Sequence, residues 1–217
     1  MINTFFTADT HFGHKNIIKY CNRPFASLSE MNETLIENWN RVVSPEDNIY
    51  ILGDFAYCSK TPVEDFLKRL NGEKHLISGN HERGYFSAIR GQELNQYWIY
   101  EGNYKEKTID GRKVIMCHYP MMSWVGQKRD SFMIHGHIHN KLYEPYINLW
   151  CELPDLLNAG VDINGYKPVT LDELIENNKR FSSYAQSWID GEKCRYCGNS
   201  ASEGFACLNC GKIRTIQ

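Results

Sequence analysis

The sequence predicts a layered α/β sandwich with helices on the outside and a small cysteine-held appendage at its C-terminal end. Three observations carry this. Strand-like and helical runs alternate through the first half, the second half is richer in strands, and four of the eight cysteines form two CxxC pairs near the end. A chain of 217 residues suits one domain of ordinary size plus an appendage, and 42% hydrophobic residues suffice for a real core.

The elements follow in order. Ile2–Phe6 reads as the first strand. Ser27-Leu28-Ser29-Glu30 has capping-box spacing, and Leu28, Met31, Leu35 and Trp39 then recur on one helical face. Asn48–Leu52 is an apolar, strand-like run. Thr61-Pro62-Val63-Glu64 offers an N-cap, a proline at the first helical position and a glutamate at the third; Val63, Phe66, Leu67 and Leu70 follow, and Asn71-Gly72 stops the helix. Lys105–Ile109, Asp110-Gly111 and Arg112–Cys117 read as strand, tight turn and strand. Thr170-Leu171-Asp172-Glu173 is a second capping box, opening a short last helix. Beyond it the chain turns polar and loses periodicity. The expected division is a main domain over 1–176, a linker over 177–191 and a cysteine module over 192–217.

A net charge of −2 argues against a generally basic protein that coats nucleic acid. The N-terminus has no charged region followed by an apolar one, and no apolar stretch approaches the roughly 20 residues of a membrane span. A soluble, cytoplasmic protein without a membrane partner is expected.

Seven of the eight histidines fall in four segments, each after a strand-like run: Asp9-Thr10-His11-Phe12-Gly13-His14, Gly79-Asn80-His81-Glu82, Cys117-His118-Tyr119-Pro120 and His135-Gly136-His137-Ile138-His139. A fifth run ends at Gly53-Asp54. Carboxylates can bridge two cations, imidazoles bind one each, and an asparagine carbonyl adds a neutral ligand. Sheets bind ligands beyond the carboxyl ends of their strands. Five such ends presenting Asp, Asn or His describe a dinuclear metal site, whose usual chemistry is activating water against a phosphate ester. His137 and His139 are expected on one strand face, with His135 behind them or simply buried. His75, inside a strand, reads as a core histidine.

In this order, Asp-x-His, Gly-Asp, Gly-Asn-His, a lone His and Gly-His-x-His resemble the calcineurin-like metallophosphoesterase superfamily over roughly residues 1–175. Asp9–His14, Cys21-Asn-Arg-Pro-Phe25 and Asn158-Ala-Gly-Val-Asp162 further resemble its compact bacterial and phage members. The resemblance implies an αββα sandwich and a division of ligands. Asp9, His11 and His139 would hold one divalent ion, Asn80, His118 and His137 the other, and Asp54 would bridge them. A hydroxide between the ions would attack phosphorus, and His81 would face the scissile phosphate and protonate the leaving oxygen. Mn²⁺ is the first expectation for the pair, with Fe²⁺, Ni²⁺ and Zn²⁺ also suited.

Phosphoprotein phosphatases of the superfamily extend the second block to Gly-Asp-x-x-Asp-Arg-Gly. Here it reads Gly53-Asp54-Phe55-Ala56-Tyr57-Cys58-Ser59, without the second aspartate and the arginine. His14 and Arg23 are candidates to contact phosphate instead, Arg23 having a structural ion pair as its equal alternative. The segment 84–113 and the loop 123–130 are expected to border the cleft, where Tyr119, Trp124, Lys128 and Arg129 could stack on a base and meet a phosphate, with the equal alternative that the aromatics fill a core and the basic loop is simply solvated.

Cys194-Arg-Tyr-Cys197-Gly and Cys207-Leu-Asn-Cys210-Gly have the repeat of two zinc knuckles giving one tetrahedral Cys₄ site. So short a segment builds no core, and a structural Zn²⁺ would supply the missing folding energy. The module resembles zinc-ribbon tails and would contact nucleic acid or a protein partner, or cap the fold. The sequence as a whole reads as a dinuclear metal-dependent phosphoesterase acting on phosphodiester or phosphomonoester bonds of nucleotides or nucleic acid. The alternatives are a small-molecule or phosphoprotein monoesterase, and an inactive metal-site scaffold that binds partners.

Overall fold

The structure, a computed structural model, describes residues 2–82, 94–142 and 146–189. One sheet holds β1 (Thr4–Thr7), β2 (Asn48–Leu52), β3 (Glu73–Ile77) and β4 (Ile99–Gly102) as parallel strands in the order β4-β3-β2-β1, with β9 (Val169–Thr170) antiparallel beside β1. The second holds β5 (Tyr104–Ile109), β6 (Arg112–Cys117), β7 (Ser131–His135) and β8 (Leu156–Asn158) in sequence order. There β5 and β6 are the antiparallel hairpin, while β6, β7 and β8 run parallel. Its turn takes Asp110 and Gly111 at φ 51° and 75°, the two left-handed residues that a tight hairpin with the right twist requires.

Residue alternation along the strands separates the layers. Phe6, Tyr50, Leu52 and Ile77 point toward Val114, Met116, Ile134 and Leu157 and form the core between the sheets. Phe5, Ile49, Ile51 and Leu76 point the other way, against α1 (Lys15–Tyr20), α2 (Leu28–Val42) and α3 (Val63–Leu67). On the far face of the second sheet, Ile115, Met133 and Leu156 pack with Trp124 and with Leu149 of α4 (Tyr146–Glu152). Buried on both faces, β1 and β2 read as continuous apolar runs rather than alternating ones.

The Ser27 hydroxyl accepts from Glu30 N–H at 3.1 Å, and the face carrying Met31, Leu35 and Trp39 is buried as its spacing predicts. The expected cap at Thr61 is corrected: α3 begins one residue later, with Pro62 as its N-cap and no side-chain bond to close it.

The polar segment after 176 is helical where a linker was expected, since α5 runs over Leu171–Ile189. Its buried face is Leu171, Leu174, Asn178 and Ala185, so a polar residue interrupts the apolar stripe and hides its period. Asn178 is at home there because its side chain accepts from Asn158 N–H at 2.7 Å and donates to the Asn158 carbonyl at 3.1 Å. Phe181 packs edge-on against Trp150 of α4, at 4.8 Å between ring centroids, and holds the helix beyond that point. The carboxyl ends of β1, β2 and β3 and of β6, β7 and β8 open at the same edge of the sandwich, where the metal-type residues gather.

Candidate metal centre

Three of the five blocks leave their strands by backbone turns that L-residues adopt reluctantly. Asp9, His11, Asp54, His137 and His139 all have positive φ, between 52° and 73°. Such conformations cost free energy and persist where surrounding bonds enforce them. Those bonds link the blocks: Asp9 N–H to the Gly53 carbonyl, His11 N–H to the Asp54 carbonyl, and His137 N–H to Asp9 Oδ2 at 2.9 Å. Two glycines permit the closeness. A Cβ at Gly53 would lie 2.6 Å from His118 Nδ1, and one at Gly79 would lie 2.5 Å from Asp54 Oδ1.

The expectation that His137 and His139 share one strand face is corrected here. β7 ends at His135, and the left-handed turns at 137 and 139 send the two rings to different clusters.

Asp9, His11 and His139 form one cluster and Asp54, His118 and His137 the other, with ligand atoms in each lying within 4.8 Å of one another. Asp54 stands between them, its Oδ2 3.7 Å from His11 Nε2 and 3.5 Å from His118 Nε2. Asn80 Oδ1 lies 3.0 Å from His118 Nε2 and 2.9 Å from His137 Nδ1. All seven side chains expected as ligands thus meet in one place.

Burial and the opposing charges of carboxylates and imidazoles set the protonation of this site. Burial raises the carboxyl of Asp9, against the lowering effect of His139 and His118. At Asp54 burial also works against the charge, but the hydrogen bond and charge of His118 and the charge of His11 outweigh it. His118 is held up at about 9 and His139 at about 11 because Asp54, Asp9 and Asp162 overcome burial. Burial lowers His11 well below its ordinary value and takes His137 down to about 4. His11 Nε2 is buried with no hydrogen-bond partner. An orphaned imidazole nitrogen facing a shared carboxylate fits a metal ion, and the donor set of carboxylate, imidazole and amide oxygen suits divalent ions.

A second layer of residues fixes these ligands. His118 Nδ1 lies 2.7 Å from the Leu52 carbonyl, and His139 Nδ1 lies 2.7 Å from Asp162 Oδ2. Both contacts leave Nε2 for the cluster. Glu82, fully buried, accepts from Phe55 N–H and Gly79 N–H and so clamps the loop of Asp54 to that of Asn80. Neither Asp162 nor Glu82 was singled out from the sequence, although each ends one of the quoted motifs.

Arg23 does not reach the cleft. Its side chain is fully buried, and its five hydrogen bonds go to Asp162 twice, to the carbonyls of Asp9 and Thr10, and to the Met31 sulfur. The structural ion pair is therefore its role here.

His14 lines the cleft, its Nδ1 3.3 Å from His11 Nδ1, and burial together with the charge of His81 lowers its pKa. His81 is 30% exposed, its Nε2 3.8 Å from Asp54 Oδ2, and it forms a further possible metal-holding group with His11 and Asp54. The Tyr57 ring packs against it at 4.2 Å, on the side of the loop where a second aspartate is missing.

His135 is buried behind the site, with Nδ1 2.7 Å from the Gly136 carbonyl. His75 stacks on Tyr50 and meets Glu101 at 2.9 Å, away from the metal-type residues. Tyr119 is exposed beside His137, at 4.6 Å. Trp124 takes the core alternative, its indole N–H donating to the Ser131 carbonyl at 3.1 Å. Lys128 and Arg129 are exposed on that loop. Residues 83–93, part of the segment expected at the cleft, and Cys194, Cys197, Cys207 and Cys210 lie outside the described residues. No described helix is long and apolar enough to cross a membrane.

The chain is similar to several known proteins. An uncharacterized protein of Methanocaldococcus jannaschii is 39% identical over 186 residues, covering 82% of this chain and 94% of its own. The gene 66 protein of Mycobacterium phage D29 is 26% identical over 198 residues, covering 81% and 96%. A crystal structure of a protein of unknown function from Aquifex aeolicus superposes with a TM-score of 0.61 at 28% identity, covering 81% of this chain and 99% of that one. The model of the calcineurin-like phosphoesterase family matches residues 2–190, and the chain belongs to that family, whose members are generally metal-dependent hydrolases of phosphate esters.

Proposed function

We propose that this protein is a dinuclear metal-dependent phosphoesterase that hydrolyses phosphodiester or phosphomonoester bonds of nucleotides or nucleic acid. The observation that carries this reading is Asp54, buried between two clusters that each supply further imidazole ligands. Asp9, His11, His139 and Asp54 would hold one divalent ion, and Asp54, Asn80, His118 and His137 the other, with Mn²⁺ first among the candidates. When bound, the pair would supply a nucleophilic water and neutralise charge on the phosphate oxygens.

The chain's own residues do the rest. Asp54 and Asp9 offset the cations' charge in a buried setting, and the Leu52 carbonyl and Asp162 fix the directions of His118 and His139. His81, which lines the cleft and is 30% exposed, would give a proton to the leaving oxygen. His14 lines the same cleft and is the remaining candidate for a phosphate contact, since Arg23 has no free donor. For the four cysteines near the C-terminus we retain a structural Zn²⁺ as a proposal, with the module they close as a site for a protein or nucleic-acid partner.

The test is hydrolysis of bis-p-nitrophenyl phosphate in Mn²⁺, set beside p-nitrophenyl phosphate and an Asp54→Asn control. Diester turnover lost in the control supports a phosphodiesterase, and monoester turnover alone moves the activity to a phosphatase. No turnover of either by protein shown to hold two ions would refute an active esterase and favour a scaffold.

A further inference from the structure

We propose that the cleft beside the metal centre contains a nucleoside subsite, walled by Tyr57 and Tyr20 together with Lys15 and Lys141, so that the substrate class is a nucleotide phosphoester. The inference rests on the phosphoesterase reading above and names what that site would select.

The cleft has a volume of about 630 Å³ and begins at His11, His81 and His139. A phosphate fills only a small part of such a space, and specific ligand sites fall in this size range. The remainder runs past His14 toward α1. Tyr57 and Tyr20 both meet the His14 ring there, at 4.8 and 6.1 Å between centroids and inclined by 69° and 74°. Neither is stacked on it, and 37% of Tyr57 and 60% of Tyr20 remain open to solvent. Two exposed tyrosines next to a catalytic centre give a flat aromatic group a surface to lie on, and bases stack on such rings whatever their sequence.

The charge of the wall points the same way. No acidic residue lines the cleft among the described residues, whereas two lysines do. Lys141 is anchored, its Nζ donating to the Tyr20 carbonyl at 2.6 Å, which places a fixed cation beside the tyrosine. Lys15 is exposed and pairs with no carboxylate among the described residues. Two aromatic rings and two cations on one wall match a base and a further phosphate.

Binding to the Mn²⁺-loaded full chain tests this without relying on turnover. Thymidine 5′-monophosphate is compared with methyl phosphate, which keeps the phosphate and lacks the nucleoside. The expected result is a preference of at least about tenfold for the nucleotide, which falls toward one in Tyr57→Ala and in Tyr20→Ala and survives in Tyr57→Phe. A tetrathymidylate with phosphates beyond the first separates a nucleic-acid end from a mononucleotide. Tighter binding of the oligomer, with a salt dependence that drops by roughly 0.7 in Lys15→Ala, identifies the strand, and equal binding identifies the mononucleotide. Equal affinity of the wild-type protein for thymidine monophosphate and methyl phosphate would overturn the subsite. It would leave the phosphoesterase reading standing, which fails separately if neither nitrophenyl ester is hydrolysed.

Discussion

Arg23 and Asp162, 139 residues apart in sequence, form an ion pair with both side chains fully buried, Nε to Oδ1 at 2.8 Å. Through the second oxygen of Asp162 the pair reaches His139 Nδ1 at 2.7 Å. Arg23 also donates to the carbonyl of Asp9, a member of the same cluster as His139, at 2.7 Å. One guanidinium therefore braces two ligands that lie 130 residues apart in sequence.

Removing that brace should cost stability. Arg23→Met leaves Asp162 buried with its charge only partly matched, a change worth about 3–5 kcal/mol when one member of a buried pair is lost. Chemical denaturation should show it, and the double variant Arg23→Met/Asp162→Asn should recover part of the loss. Additive losses would mean that the two residues act independently.

Asp162→Asn weakens the acceptor that orients His139. Metal affinity at the Asp9, His11 and His139 cluster should fall about 10- to 100-fold while the Asp54, His118 and His137 cluster keeps its ion. Titration with Mn²⁺ followed by calorimetry should resolve one weakened and one unaltered event.

Much of the site was legible before the structure, and the reason is physical. The apolar runs that end in Asp, Asn or His mark the site locally, whereas the choice of Asp9, His11, Asp54, Asn80, His118, His137 and His139 as ligands, ahead of His14, His81 and His135, comes with the resemblance to the metallophosphoesterases. The residues that hold them are not marked in that way. Arg23 and Asp162 gain their meaning from a contact across the fold, and an arginine near a metal site reads equally well as a phosphate ligand until its donors are traced. The division of His137 from His139 depends on backbone turns that period-two reasoning does not contain. In α5 the buried Asn178 breaks the apolar period, and its satisfaction by Asn158 is a tertiary event.

Glu82→Gln replaces one of two carboxylate oxygens with a donor that faces the backbone N–H of Phe55 or Gly79. An unsatisfied buried N–H costs about 1–3 kcal/mol. Because the clamp joins the loops of Asp54 and Asn80, the melting temperature and the metal content should fall together. A drop in melting temperature with full metal content would show that the clamp is structural only.

Lys74 offers a pH test away from the metal centre. Burial lowers it from 10.5 to about 8, so the folded chain gives up this proton before the unfolded chain does. Between those two values the unfolded state binds more protons, and this group's contribution to stability rises with pH. Lys74→Met should raise the melting temperature at pH 7, where the buried charge is otherwise carried, and should flatten the rise above pH 8. Melting curves of the two proteins at pH 7 and pH 9.5 decide it.

The most direct test of the account is the electron paramagnetic resonance spectrum of the Mn²⁺-loaded chain, with metal content measured on the same sample. A carboxylate shared between two ions predicts two Mn²⁺ per chain with the spectrum of a spin-coupled pair, replaced in Asp54→Asn by uncoupled or lost ions. A single Mn²⁺ per chain, or two ions that show no coupling in the wild-type protein, would contradict the bridging role assigned to Asp54.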